Sequence, residues 1–371
     1  MLQEIVSKWT LKEWCEGFYG IYGQNDSHRS LSNFWIQVCN DASKVAEAVR
    51  RQDHKQTMYH LGNAFCWTCC FAQRLRDDMK KNQTGERVLH ERGQEFQEWI
   101  LNRYPFKCYH CGFDPCHCFL HAELIEKRKD SPEYKQQYQN QVAKYRDKYN
   151  EVARRKVKTQ RESISKYPLD RLFHKFYHIY GNDVSRASLE DLTFHYLEEV
   201  GEVAQAVTTL ETLVGENNSK QWEKLCKNDK KLSLVKRFKL VGWEKAFQQA
   251  GDSSKNRPES IKKLGRLRKS GRIGSVAFEL ACKNIMNEMA DVFSWSTTIV
   301  YKIAKLTKPK NGLSITGVFI GDSNVVGDKS DKRYVFGTDE NQYFQCPYCA
   351  QRICSLKCPL SSILAKIVKS D

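Results

Sequence analysis

The sequence predicts a mainly α protein built from two tandem helical modules, each followed by a small zinc-binding cysteine cluster. Three matches within the chain lead to this. Residues 18–49 align without a gap to residues 176–207, at an offset of 158 and with twelve identities: Phe18/Phe176, Tyr19/Tyr177, Ile21/Ile179, Tyr22/Tyr180, Gly23/Gly181, Ser27/Ser185, Ser30/Ser188, Leu31/Leu189, Val45/Val203, Ala46/Ala204, Ala48/Ala206 and Val49/Val207. Met58, Phe65 and Trp67 then match Met286, Phe293 and Trp295 at an offset of 228. Cys108, Cys111 and Cys116 match Cys346, Cys349 and Cys354 at an offset of 238. The order helix, helix, cysteine cluster is thus used twice, which is the signature of an internal repeat.

The elements follow in chain order. Residues 1–100 form the first helical module and 101–122 the first cysteine cluster. Residues 123–168 read as a charged helical connector. There Ser131-Pro132 supplies an N-cap followed by proline at the first helical position. Tyr134, Tyr138, Val142, Tyr145, Tyr149 and Val152 then recur every three or four residues and draw one apolar stripe along it. The second module spans 169–310 and carries an insertion at about 208–279, some 70 residues that the first module lacks. Residues 311–344 turn to Gly, Val, Ile and Phe with little helical period, predicting loops or a small sheet, and the segment 311–371 ends on the second cluster.

Composition bounds the partners. With 40% hydrophobic and 12% aromatic residues in 371, the chain has the makings of buried cores and not of a disordered polymer. A formal net charge of +16 predicts attraction to polyanions. The insertion alone holds seventeen Lys and Arg against eight Asp and Glu, including the run Lys262-Lys263-Leu264-Gly265-Arg266-Leu267-Arg268-Lys269. The first residues lack the basic-then-apolar order of a secretory signal, and no stretch approaches eighteen uninterrupted apolar residues. The expectation is a soluble, cytoplasmic protein with no membrane partner. Eight of the fifteen cysteines fall in the two clusters, while Cys15, Cys39, Cys66, Cys69, Cys70, Cys226 and Cys282 lie in helical segments suited to buried free thiols. Cysteines used in this way point to metal binding in a reducing compartment.

The chemistry concentrates in one acidic constellation. On the helix running from Phe194 to Val207, with each residue stepping 100° around the axis, Glu198 at 0° is followed by Glu202 at about 40° and Glu199 at about 100°. Tyr196, Leu197, Val200, Val203, Ala204 and Val207 fill the core side, so the three carboxylates share the face beside it. On a later helix Glu288 and Asp291 form an i, i+3 pair, and Lys302 projects within about 40° of Glu288. Packing these helices with their acidic faces together gathers carboxylates that repel one another unless a hard divalent cation sits among them. Oxygen ligands in that number suit magnesium or manganese better than zinc.

Glu-Glu-x-x-Glu at Glu198, Glu199 and Glu202, followed by Glu-x-x-Asp at Glu288 and Asp291, resembles the MazG-like all-α nucleoside triphosphate pyrophosphohydrolases. The likeness covers roughly residues 170–207 and 280–305, with a fainter echo in 10–80. It implies a magnesium-dependent enzyme that splits (d)NTP between the α and β phosphates to (d)NMP and pyrophosphate, for pool sanitation or nucleotide depletion. It also implies Glu199, Glu202, Glu288 and Asp291 as ligands of magnesium or manganese, and Glu198 as an auxiliary ligand or the base that orients water. Lys302 is the candidate for a phosphate contact. The family's dimers complete a helical bundle between subunits, so a homo-oligomer, or a tandem copy acting in its place, is the matching expectation. In this chain 85 residues separate Glu202 from Glu288. The helices can still meet if the insertion loops out, since each doubling of a loop costs only about 0.6 kcal/mol. At the aligned positions the first module has Asn40, Asp41, Lys44, His60 and Asn63, so one carboxylate survives and Lys44 places a positive charge where a cation would bind. That module reads as a degenerate structural partner, with nucleotide sensing as the second reading.

Cys346, Cys349, Cys354 and Cys358 offer four thiolates within thirteen residues, a set suited to one tetrahedral zinc. Cys108, Cys111 and Cys116 repeat the first three, and either Cys118 or His121 completes the first set. Two structural zinc ions are therefore expected, since four protein ligands leave no open position. The competing function class is a non-enzymatic, zinc-containing nucleic-acid-binding or scaffold protein that contacts nucleic acid through the basic insertion and keeps a vestigial acidic site.

Overall fold

A computed structural model of the chain describes residues 9–26, 29–81, 83–104, 166–214 and 273–307. Both cysteine clusters, nearly all of the connector, most of the insertion and the C-terminal segment lie outside these residues. Among the described residues there are eight α-helices and no strand, so the protein is mainly α as expected. The helices are α1 (Leu11–Asp26), α2 (Leu31–Arg50), α3 (His54–Lys80), α4 (Gln83–Arg92), α5 (Phe96–Arg103), α6 (Leu169–Arg186), α7 (Leu189–Val214) and α8 (Ile273–Thr307). The described helices include none long and apolar enough to cross a membrane.

Local sequence sets the helix starts. Ser30 opens α2 by accepting from the Asn33 N–H at 3.1 Å, and Ser188 opens α7 by accepting from the Asp191 N–H at 2.9 Å. These serines are 158 residues apart, so aligned positions have the same capping role. Gly23 and Gly181 share a role too: a Cβ at either would stand 3.1 Å from the ring of the tyrosine one turn before it, Tyr19 or Tyr177. The ring lies across the turn, which explains why glycine recurs there.

Helices α2 and α3 pack as a pair, α7 and α8 as another, and α2 lies along α7. Helix α1 rests on α3 as α6 rests on α8. Two of the sites where the two sets meet fall on aligned residues. Thr10 forms an isolated antiparallel bridge with Pro168, 158 positions on, and the Leu169 N–H donates to the Trp9 carbonyl at 2.8 Å. Phe65 meets Phe293, its match at the offset of 228, with ring centroids 6.4 Å apart. Trp35 on α2 sends its buried indole N–H to the Val200 carbonyl of α7 at 2.9 Å. Ser32, in the first turn of α2, donates its backbone N–H to Glu211 near the end of α7 at 3.0 Å, so the two helices run antiparallel. The outward faces also correspond, since Ile36 and Phe194, again 158 apart, are both exposed.

One continuous apolar core results, drawn from all eight helices. Phe293 is at its centre, against Phe173 at 5.0 Å, Phe176 at 5.6 Å and Phe96 at 6.1 Å. Helices α4 and α5 leave the first half and fold over α8. Gly93 makes the corner between them at φ +116°, where a Cβ would come within 2.4 Å of the Glu98 side chain. Lys283 on α8 pairs with Glu91 at 2.6 Å and Glu279 at 2.8 Å, and Arg87 pairs with Glu279, fastening α4 to α8. The boundary read at residue 100 cuts α5, which continues to Arg103; its apolar residues Trp99, Ile100 and Leu101 are buried and belong to this core.

Candidate metal centre

Antiparallel packing of α7 on α8 brings the two acidic motifs together despite the long insertion between them. Glu199 from α7 and Glu288 and Asp291 from α8 each turn an oxygen into a space where these ligand atoms lie within 4.8 Å of one another. Asp291 is buried, and Glu199 and Glu288 are half-buried. Glu202, one turn beyond Glu199, is on the exposed side and makes a side-chain hydrogen bond with Glu288.

Crowding and burial act on these acids in the same direction. Burial first, then the negative charge of Asp291 and Glu202, pushes Glu199 up to about 8. Glu288 rises to about 9, again through burial first and Asp291 second. Both therefore hold protons at neutral pH when no cation is present, which is the response of carboxylates forced together in a poorly solvated place.

Neighbouring side chains fix the acids from outside. Trp295, one turn after Asp291, donates its indole N–H to Glu199 at 3.2 Å, and its ring stacks on His195 at 4.6 Å. Asp291 is held from α5 and the residue after it. Arg103 donates from Nε to Oδ1 at 3.0 Å and from Nη2 to Oδ2 at 2.7 Å, while the Tyr104 hydroxyl also donates to Oδ1.

Of the five acids expected at the site, Glu199, Glu288 and Asp291 converge, with Glu202 beside them. Glu198 does not join them. It is 64% exposed and faces His195, whose Nδ1 is 3.4 Å from its carboxylate. The helix geometry explains this, because the face turned to α8 is the core side of Glu199, and Glu198 is a further 100° round toward solvent. Lys302 is eleven residues past Asp291 on α8, about 16 Å along the axis at 1.5 Å per residue. Among the described residues Arg103 brings a cation onto Asp291; the sequence pattern did not single it out, nor did it single out Tyr104 or Trp295 as site residues.

The aligned positions of the first half converge in the same way but are closed by Lys44 and His60. Asp41 is buried, with His60 Nδ1 at 3.4 Å and Lys44 at 4.0 Å. Burial raises the Asp41 carboxyl, while Lys44, His60 and a hydrogen bond from Asn63 draw it down. No ion-binding group of three acids, histidines or cysteines forms there among the described residues. Cys15, Cys69, Cys70 and Cys282 are buried free thiols and Cys39 and Cys66 half-buried ones, while Cys226 lies outside the described residues. So do the expected zinc ligands Cys108, Cys111, Cys116, Cys118, His121, Cys346, Cys349, Cys354 and Cys358.

No family model matches the sequence, and neither a curated protein nor a solved structure matches it.

Proposed function

We propose that the chain is a divalent-metal-dependent nucleotide pyrophosphohydrolase that cleaves (d)NTP to (d)NMP and pyrophosphate. It would be built as two tandem MazG-like modules, of which the second carries the chemistry. One observation supports this above the rest: three carboxylates from two separate helices point their oxygens into one half-buried space, with ligand atoms within 4.8 Å of each other. Such an arrangement is costly without a cation, as the raised Glu199 and Glu288 carboxyls indicate, and oxygen-only donors fit a hard ion.

In this reading Glu199, Glu288 and Asp291 hold magnesium or manganese, with Glu202 as a further ligand. The metal would neutralise the triphosphate and polarise the attacked phosphorus. The chain's own residues prepare the place. Trp295 locks Glu199 through its indole N–H, and the Tyr104 hydroxyl orients the Asp291 carboxylate. Glu198 is at the solvent rim one residue from Glu199, where a carboxylate can orient a water or take its proton. The first half serves as the structural partner, a reading supported by the Thr10–Pro168 and Phe65–Phe293 contacts between aligned residues. The two cysteine clusters are assigned structural zinc on their spacing alone.

The test is pyrophosphate release from a panel of NTPs and dNTPs with magnesium or manganese, the parent beside Glu199→Gln. Release by the parent and loss in the variant are expected. If no nucleotide yields pyrophosphate with either metal, the reading is lost.

A further inference from the structure

The Arg103 contact with Asp291 crosses from one half of the molecule to the other and brings a positive charge to the place where, on the reading above, a metal would bind. Three features show that the contact is built in. First, α5 is rigidly seated. Glu98 accepts from the backbone N–H groups of Gln94 and Glu95, the Trp99 indole N–H donates to the Gly93 carbonyl at 2.9 Å, and the Asn102 amide donates to the Glu98 carbonyl at 3.0 Å. Arg103 therefore extends from a fixed helix end, with 22% of its side chain still open to solvent. Secondly, the guanidinium spans both oxygens of Asp291, so it takes the edge of the carboxylate on which the two inward lone pairs lie. Thirdly, its charge also reaches Glu199 and Glu288.

A divalent ion and a guanidinium cannot comfortably share that edge. They compete for the same lone pairs, and at such separations in a half-buried place two positive charges repel strongly. A triphosphate changes the balance, because two oxygens of one phosphate can accept together from the planar guanidinium. In the first half the surviving Asp41 is closed by Lys44 and His60 of its own helix pair. In the second half the cation comes from α5, so it can leave Asp291 without unpacking α7 from α8. The Tyr104 hydroxyl stays on Oδ1 and keeps the carboxylate oriented.

We propose that Arg103 is an internal cation that occupies Asp291 in the metal-free protein and passes to the nucleotide phosphates when a divalent ion takes Asp291, so that metal and nucleotide bind as a pair. This rests on the metal-binding reading of Glu199, Glu288 and Asp291. It makes Arg103 a phosphate-contacting residue supplied by the degenerate half, and it gives the site low occupancy by metal alone.

Manganese binding to the full-length protein, followed by the electron paramagnetic resonance signal of the free ion, tests it. The titration is run alone and with the non-cleavable α,β-methylene analogue of ATP at one fixed concentration. The expected results are that Arg103→Gln binds manganese alone about tenfold more tightly than the parent, and that this advantage vanishes or reverses with the analogue. Arg103→Lys keeps the charge but lets go of one oxygen, so it should fall between the two, and it covers the case in which Arg103→Gln folds poorly. Tyr104→Phe removes a neutral donor and should not tighten manganese binding. Unchanged or weaker manganese binding in both Arg103 variants overturns the exchange and leaves Arg103 as an orienting group only. Glu288→Gln separates the two levels. If the parent takes up no manganese even with the analogue, beyond what the analogue holds by itself, or binds it no better than Glu288→Gln does, the metal reading fails and this inference fails with it.

Discussion

Replacing Glu288 by Gln should stabilise the protein in magnesium-free buffer at pH 8 and leave it nearly unchanged near pH 4.5. In the folded chain the Glu288 carboxyl holds its proton up to about 9, whereas in an unfolded chain it releases it near 4.3. The folded state binds more protons between those limits, so stability falls as pH rises through that window and levels off above about 9. At about 1.36 kcal/mol per unit, the three units from pH 5 to pH 8 set a ceiling of about 4 kcal/mol. Glu288 is only half-buried and hydrogen-bonded to the exposed Glu202, so water screens the effect, which brings the expected value to about 2 kcal/mol. Gln has the shape of the protonated acid and does not titrate, so the variant escapes this loss. The assay is urea unfolding of parent and variant at half-unit steps from pH 4.5 to pH 9. Magnesium should invert the order, because it stabilises only the protein that binds it. A variant equal to or weaker than the parent at pH 8 without magnesium would refute the argument that crowding is relieved at this site.

Three further outcomes are expected. Glu199→Gln and Glu202→Gln should lower turnover by about two or more orders of magnitude with the fold intact by circular dichroism, while Asp41→Asn, aligned with Glu199, should leave turnover nearly unchanged in the pyrophosphate assay. Phe293→Ala should cost about 3–5 kcal/mol in urea unfolding, because the ring is 2% exposed and touches Phe65, Phe96, Phe173 and Phe176 from three other helices. Metal analysis after reducing purification should find close to two zinc ions per chain, and Cys346→Ser with Cys349→Ser should remove one; absence of zinc from the parent would end the cluster assignment.

The helical class and the meeting of Glu199 with Glu288 and Asp291 were legible in the sequence because both are periodic properties. An apolar stripe fixes which side of a helix faces its neighbour, and the acids beside that stripe follow it into the contact. The intervening 85 residues did not obscure the pairing, since the aligned segments identify the helices as partners whatever loops out between them. Glu198 shows where this reading loses resolution. Three glutamates within five residues look like one acidic face, but a single 100° step decides whether a side chain reaches α8 or water. Arg103 and Tyr104 were not legible at all. They lie 188 and 187 positions from Asp291, at the end of a short helix outside the segments aligned in the repeat, and no local pattern announces a contact of that range. Trp295 was visible as an aligned aromatic, but its indole N–H to Glu199 depends on packing that alignment does not describe.

The way the two halves pack bears on what the first half contributes to the second. Aligned residues meet each other at Thr10–Pro168 and Phe65–Phe293, as they would across the axis of a symmetric dimer, so each half covers apolar surface that the other cannot bury alone. Joining the halves in one chain removes the need for both to be equal. The first half then tolerates Lys44 and His60 around Asp41, which close its own acidic position, while its remaining helices take on work for the other half. Helices α4 and α5 do this physically: Arg87 and Glu91 clamp Glu279 and Lys283 of α8, and the end of α5 delivers Arg103 and Tyr104 to Asp291. On the proposed reading, the closed acidic position of one half and the cation contact received by the other are two sides of one division of labour. The site belongs to the pair, and the second half would not present Asp291 in this setting without the first.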